Sequence, residues 1–250
     1  MMFRGQRKVE GASTMESVRT AVLDIAFDSG GPPDGAPILL LHGWPDDATA
    51  WRGVTPALER AGYRWVAPWL RGFGETQFLS GSALRDGSGV ALAQDALDLA
   101  DVLGWDRFSV IGHDWGGRAA YLLAAIAPER IVSIASLAIG YAPSGRFVVP
   151  RFEQSRRWWF QWLMCTDGGA ERVREDPIGF ARIAWDTWSP KGWFDDASFA
   201  AVADSFRNSD WADITLHGYR SRWMGEPLDP AYDPHRRTVA KTEVLRVPRL

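Results

Sequence analysis

The chain holds one cysteine, Cys165, in 250 residues, and four histidines, His42, His113, His217 and His235. A lone thiol excludes an internal disulfide and fits a reducing compartment. No apolar run approaches the roughly 18 to 20 residues needed to cross a bilayer, and Met1 to Glu10 lacks the apolar centre of a secretory signal. Charge of neither sign dominates: 28 Lys and Arg face 31 Asp and Glu, a formal net charge of −3, with the signs mixed along the chain. That leaves no basic footprint for nucleic acid and no polybasic membrane anchor. A cytoplasmic protein without nucleic-acid or membrane partners, metal or cofactor is the expectation. A homodimer is compatible with this reading.

Tryptophan is abundant, with fourteen residues, and eight of them (158, 159, 162, 185, 188, 193, 211 and 223) lie between Tyr141 and His235. Most are expected to fill the core of a small helical layer, and a few to line an apolar pocket under it. Residues 1–14 are polar and aperiodic and read as a disordered leader. Val18 to Phe27 reads as one or two hairpin strands, Ile38 to Leu41 as a buried strand, and Trp51 to Ala61 as a helix before the strand Tyr63 to Leu70. Val90 to Leu103 has a 3.6-residue period: Leu92, Ala96, Leu99, Val102 and Leu103 share one face, and Gln94, Asp95, Asp98 and Asp101 fall largely off it. Strands at Arg107 to Ile111 and Ile131 to Ile139 flank a helix over Arg118 to Ala127. Strands alternating with helices predict an α/β fold, a mostly parallel sheet with helices on both faces. Domain bounds follow as a core over 15–140, a helical cap over 141–235 broken near 176–177, 189–192 and 208–210, and an incomplete return to the core over 236–250. Val244 to Leu250 reads as the approach to one more strand.

The strand at Arg107 to Ile111 runs into Gly112-His113-Asp114-Trp115-Gly116-Gly117, in which small residues flank a carboxylate at the tip of a strand-to-helix turn. Without Cβ atoms at Gly112 and Gly116 the backbone can fold tightly and hold Asp114 strained above the sheet. Together with His42-Gly43-Trp44-Pro45 and Arg71-Gly72-Phe73-Gly74, in that order, the turn resembles the α/β-hydrolase superfamily. The likeness is to its aspartate-nucleophile branch of epoxide hydrolases and dehalogenases, and it covers most of Met15 to Leu250. The chain has no Gly-x-Ser-x-Gly, which argues against an ordinary serine esterase.

The resemblance implies a helical cap inserted after the sixth strand and a two-step hydrolysis. A serine hydroxyl needs a base to become a nucleophile, whereas an aspartate is already charged at neutral pH. Asp114 would attack an sp³ carbon and form an alkyl ester, which water then cleaves at the Asp114 carbonyl. The backbone N–H groups of Trp115 and Trp44 would face the resulting oxyanion. Tyr219 resembles one of two cap tyrosines that protonate an opening epoxide, and Phe160 stands at the other's position. Trp159, Phe160, His42 and Pro45 are the expected neighbours of a small apolar substrate, although His42 more readily satisfies backbone groups of its own loop.

The family's water-activating histidine and its acid follow the last two strands, and neither is found here. His217 falls inside the cap and His235 in the polar stretch behind it, and Ile131 to Ile139 ends without a carboxylate. The chain is therefore expected to stop short by about two strands and two helices, roughly 40 to 50 residues. A haloalkane dehalogenase is the second reading, with the Trp115 indole holding the halide beside Trp158 or Trp159. A haloacid version would enlist Arg118, for which ion pairing is the simpler role, and a non-catalytic ligand-binding fragment is a third reading.

Overall fold

The computed structural model describes residues 15–142 and 148–247, so the leader expected at 1–14 and the last three residues of the approach to a further strand lie outside it. β1 (Glu16–Arg19) and β2 (Leu23–Gly30) form an antiparallel hairpin with Glu16 opposite Phe27. β3 (Ala36–Leu41), β4 (Tyr63–Pro68), β6 (Phe108–His113) and β7 (Ile131–Leu137) are parallel to one another, and the two-residue β5 (Gln77–Phe78) pairs with β2. The order is β1-β2-β4-β3-β6-β7, and among the described residues β7 forms one edge. Leu39, Leu40 and Leu41 are fully buried, as expected of a central strand covered on both faces.

Helices α1 (Thr55–Arg60), α2 (Gly89–Val102) and α3 (Trp115–Ile126) connect the parallel strands. The helix expected over Trp51 to Ala61 is split into a 3-10 segment, Ala48–Gly53, and α1, with Val54 between them. From β3 the chain steps to β4, then crosses back through α2 to β6 on the other side. The loops after β3 and β6 therefore emerge side by side where the winding reverses, the usual crevice of such sheets.

After β7 the chain builds the helical layer: α4 (Phe152–Arg157), α5 (Trp159–Met164), α6 (Asp167–Glu175), α7 (Pro177–Trp188), α8 (Asp196–Ala203) and α9 (Trp211–Trp223). The expected break near 176–177 coincides with a cap, and another cap follows the break expected over 189–192. The Asp176 carboxylate accepts from the Gly179 N–H at 2.8 Å, and Asp195 accepts from Ser198 at 2.8 Å. Trp211 is completely buried, whereas Trp188 and Trp193 are 44% and 76% exposed, so tryptophan fills this layer unevenly. α10 (Asp233–Lys241) runs through the boundary expected at 235/236. The return to the core begins earlier, at Asp229, whose N–H donates to Asp86 at 2.9 Å, and Tyr232 packs with Val90 and Ala91. Residues 242–247 form no strand.

Asp95 corrects the reading of α2. It lies three residues from Leu92 and four from Leu99, inside the apolar stripe, and is buried. The Arg71 guanidinium donates to both its oxygens at 2.6 Å, to the Asp86 carbonyl at 2.8 Å and to the Tyr232 hydroxyl at 3.1 Å. One arginine thus ties the loop after β4 to α2 and to the segment behind the cap.

Candidate active site

Asp114 closes β6 and opens α3 with φ 47° and ψ −107°, a left-handed conformation rare for a residue with a side chain. Its neighbours enforce it. A Cβ on Gly112 would lie 2.2 Å from the Gly116 carbonyl oxygen, and one on Gly116 would lie 2.0 Å from the Leu41 carbonyl oxygen. The Gly116 N–H donates to the His42 carbonyl at 3.0 Å, and the Asp114 N–H donates to Leu137 at 3.1 Å. The turn is thereby fixed to both adjacent strands.

The loop after β3 carries a cis peptide between Trp44 and Pro45, and the Trp44 N–H donates to Asp114 Oδ1 at 3.2 Å. The expected Trp44 donor therefore meets the carboxylate. Above it the indole of Trp44 stacks on Phe160, with centroids 5.5 Å apart, and meets the Tyr219 ring edge-on at 5.4 Å. Phe160 in turn stands edge-on to Tyr219 at 5.5 Å. Trp44 Nε1 donates to Thr215 Oγ1 at 3.0 Å and Trp115 Nε1 donates to the Tyr219 hydroxyl at 3.2 Å. Tyr219 is only 3% exposed; burial, reinforced by the Asp114 charge, pushes its phenol well above the usual range, so it holds its proton.

Asp114, Trp44, Trp115, Tyr219 and Phe160 thus converge. Trp159 sits one ring farther out, edge-on to Phe160 at 6.4 Å and 36% exposed. Pro45 is buried, and its carbonyl accepts from the Trp185 indole at 2.6 Å. His42 does not face a ligand as a substrate-binding residue would. It is fully buried, its Nδ1 lies 2.9 Å from the Gly43 carbonyl, and its Nε2 accepts from the Leu70 N–H at 3.0 Å. Burial pulls its pKa down to about 4, so the ring is a neutral strut for the loop. The other late histidines are also engaged away from Asp114: His217 bridges the Gly87 N–H and the Pro227 carbonyl, and His235 meets Gln94 at 2.7 Å.

Arg222 was not singled out by its sequence context. It lies three residues after Tyr219, one turn along α9, with its guanidinium carbon 4.9 Å from the Tyr219 ring centroid. Burial, together with the nearby Arg118 charge, lowers its pKa to about 10, while Tyr219 and Asp114 favour the cation. Arg118, one turn beyond Asp114, is likewise lowered by burial and supported by the Asp114 charge. The signal available in the sequence was the i, i+3 spacing from Tyr219.

A family model described as alpha/beta hydrolase fold matches residues 36–176. A solved structure from Klebsiella pneumoniae, described provisionally as an epoxide hydrolase, is 36% identical with a TM-score of 0.88, covering 94% of this chain and 78% of that one. Epoxide hydrolase B of Mycobacterium tuberculosis is 31% identical over 167 residues, 60% of this chain and 46% of that protein. A soluble epoxide hydrolase of a Corynebacterium species is 42% identical over 91 residues, 36% and 30% of the two chains. The matches to these curated relatives span less than half of the relatives' lengths. The chain belongs to the α/β-hydrolase fold family and is epoxide hydrolase-like within it.

Proposed function

We propose that this chain opens epoxides by direct attack of Asp114, forming a covalent ester, with Tyr219 as proton donor to the leaving oxygen. A carboxylate oxygen bonds to the less hindered epoxide carbon, the ring C–O bond breaks, and the alkoxide takes the phenol proton. The observation that carries the reading is the commitment of both indoles beside Asp114. Trp115 Nε1 donates to Tyr219 and Trp44 Nε1 donates to Thr215, so neither is left to cradle a departing halide. Because the Tyr219 oxygen accepts from Trp115, its own proton is available to a third group, and an alkoxide is the strong acceptor that ring opening creates. The guanidinium of Arg222 beside the ring stabilises the phenolate that results.

The ester then needs an activated water. We infer that the ester persists and the chain stalls: among the described residues, His42, His217 and His235 bond elsewhere, and His113 belongs to the turn itself, with its Nδ1 packed over Gly43. Incubation with styrene oxide, followed by intact mass and peptide mapping, tests this. The expected result is one persistent adduct on Asp114, absent from Asp114→Asn, and no adduct from 1-chlorohexane. Steady diol release would overturn the stall; the absence of any adduct from a folded protein would overturn the ring-opening reading.

A further inference from the structure

The cap reaches the loop after β3 at three points. Trp44 Nε1 donates to Thr215 Oγ1 of α9 at 3.0 Å, Trp185 Nε1 of α7 donates to the Pro45 carbonyl at 2.6 Å, and Ser205 Oγ, in the 3-10 turn after α8, donates to Asp47 Oδ2 at 2.6 Å. The core grips the two ends of the same stretch. At Gly43 an added Cβ would lie 2.7 Å from His113 Nδ1 and 2.9 Å from the Asp114 Cβ, and at Asp47 the Trp69 indole donates at 3.3 Å. Between these ends stand Trp44 and Pro45. Proline has no N–H, and the Trp44 N–H is spent on Asp114 Oδ1, so the pair has no backbone donor left to tie it to the strands. The Trp44 indole and the Pro45 carbonyl are held from the cap instead.

Ring packing alone would not fix the Trp44 N–H. The indole stacks on Phe160 and on Trp211, with centroids 5.5 and 6.2 Å apart, and stacked rings can slide or turn in their own plane at little cost. A directional hydrogen bond removes that freedom. Thr215 is fully buried and lies one turn before Tyr219 on the same face of α9. The helix cannot sink farther toward the core: a Cβ on Gly218 would already lie 2.9 Å from the Trp115 ring, and one on Gly87 would lie 2.1 Å from the Ile214 carbonyl oxygen. One seated helix therefore sets both the Trp44 indole and the Tyr219 hydroxyl.

We propose that Thr215 and Trp185 are positioning residues for ester formation: they hold the Trp44 N–H on Asp114 Oδ1 and so direct Oδ2 at the epoxide carbon. A carboxylate is already charged, so what the protein adds to it is direction, and a misplacement of about 1 Å can cost up to about 10²-fold in rate. The role rests on the ring-opening reading for its effect on rate, whereas the placement of the Trp44 N–H does not.

Single-turnover alkylation of the whole chain over a range of styrene oxide concentrations, paired with hydrogen exchange of the Trp44 amide followed by NMR, tests the pair. Thr215→Val keeps the volume and removes the acceptor, and Trp185→Phe keeps a ring and removes the donor. Each should lower the limiting rate of ester formation by about tenfold and leave the half-saturating concentration within about twofold. Each should also speed exchange of the Trp44 N–H at least about fivefold. Thr215→Ser, which keeps the hydroxyl, should restore both rate and protection. Because the two residues act through one N–H, the double variant should lose less than the product of the single losses. Circular dichroism establishes that each variant is folded. An unchanged limiting rate or unchanged exchange in either folded single variant overturns the proposal, as does a Thr215→Ser protein as slow as Thr215→Val, or a double variant whose losses multiply in full. A parent that forms no adduct removes the ring-opening reading instead, and exchange of the Trp44 N–H then decides the placement alone.

Discussion

The two sides of Asp114 are built by different means. Below it, the turn and the loop after β3 are set by backbone touching backbone: imagined Cβ atoms on Gly112 and Gly116 fall 2.0 to 2.2 Å from carbonyl oxygens. Above it, the cap meets the site through rings, with Trp44, Phe160 and Tyr219 held at centroid distances of 5.4 to 5.5 Å. Backbone contacts at van der Waals limits have no slack, whereas ring packing can be re-formed by another side chain of similar volume. The lower side therefore fixes where the carboxylate is, and the upper side decides what chemistry surrounds it.

Adding one methyl group at the base is the most damaging test of that contrast. Gly116→Ala forces its Cβ toward the Leu41 carbonyl oxygen, in a helix start that is also bonded to His42. The expected loss exceeds about 4 kcal/mol, beyond the usual range for a point substitution, and is read from urea unfolding. A protein as stable as the parent would show that the turn has room to relax.

The next largest effect lies at the latch that Arg71 forms between the loop after β4, α2 and the segment behind the cap. Asp95→Ala strands the buried Arg71 charge and should cost about 3 to 5 kcal/mol. The double variant Arg71→Met, Asp95→Leu should cost less than the single one, because removing both charges also removes their desolvation. A double variant that is worse than Asp95→Ala would assign the latch a net stabilising role beyond that cost. On the cap side, Tyr219→Phe should cost about 1 to 3 kcal/mol, because the buried Trp115 indole N–H loses its acceptor, and should slow ester formation on Asp114 by about 10²-fold, the lower end for a lost general acid. An unaltered alkylation rate in time-resolved mass spectra would remove Tyr219 from the chemistry.

What could be read from the sequence follows the same division. The elbow was legible because a strand-to-helix turn with a displayed carboxylate needs glycines at fixed offsets, and few other sequences meet that need. One cap break was legible at Asp176-Pro177, where the Asp176 side chain caps the next helix, whereas the Asp195 cap lies outside the break expected over 189–192. Asp95 was misassigned because its acidity outweighed its position within the Leu92 and Leu99 stripe, and only Arg71, 24 residues away in sequence, explains the burial. Arg222 went unnoticed for a related reason: nothing local reveals that α9 turns its Tyr219 face toward Arg118. His42 was seen both as a loop strut and as a ligand neighbour, and its two backbone partners decide for the strut.

The rigid side also carries an internal pH balance. His42 has a folded pKa of about 4 against an ordinary 6.5, so the unfolded chain takes up its proton first. Its contribution is complete above pH 6.5 and is lost as pH falls toward 4, by up to about 3 kcal/mol at 1.36 kcal/mol per unit. Burial raises half-buried Asp46 from 3.8 to about 7, so its contribution is complete below 3.8 and is lost as pH rises through 7. The two oppose each other within one loop. Asp46→Asn keeps the oxygen that accepts from the Asp47 N–H and removes the second dependence. Its unfolding free energy should fall between pH 6.5 and 4 more steeply than the parent's; a profile equal to the parent's would remove Asp46 from the balance, and a flat one would show that His42 is not the neutral strut inferred above.

The smallest effect should come from the same substitution that is expected to be ruinous at Gly116, made instead in the cap. Gly168 lies near the start of α6, and a Cβ built there meets nothing within 4 Å. Alanine restricts the unfolded chain and favours the helix, so Gly168→Ala should gain about 0.5 to 1 kcal/mol in urea unfolding. The sign matters more than the size. If a Cβ at this open position met backbone as closely as one at Gly116 does, the methyl would destabilise the cap, and the contrast with the fixed base would fail at its most tolerant point.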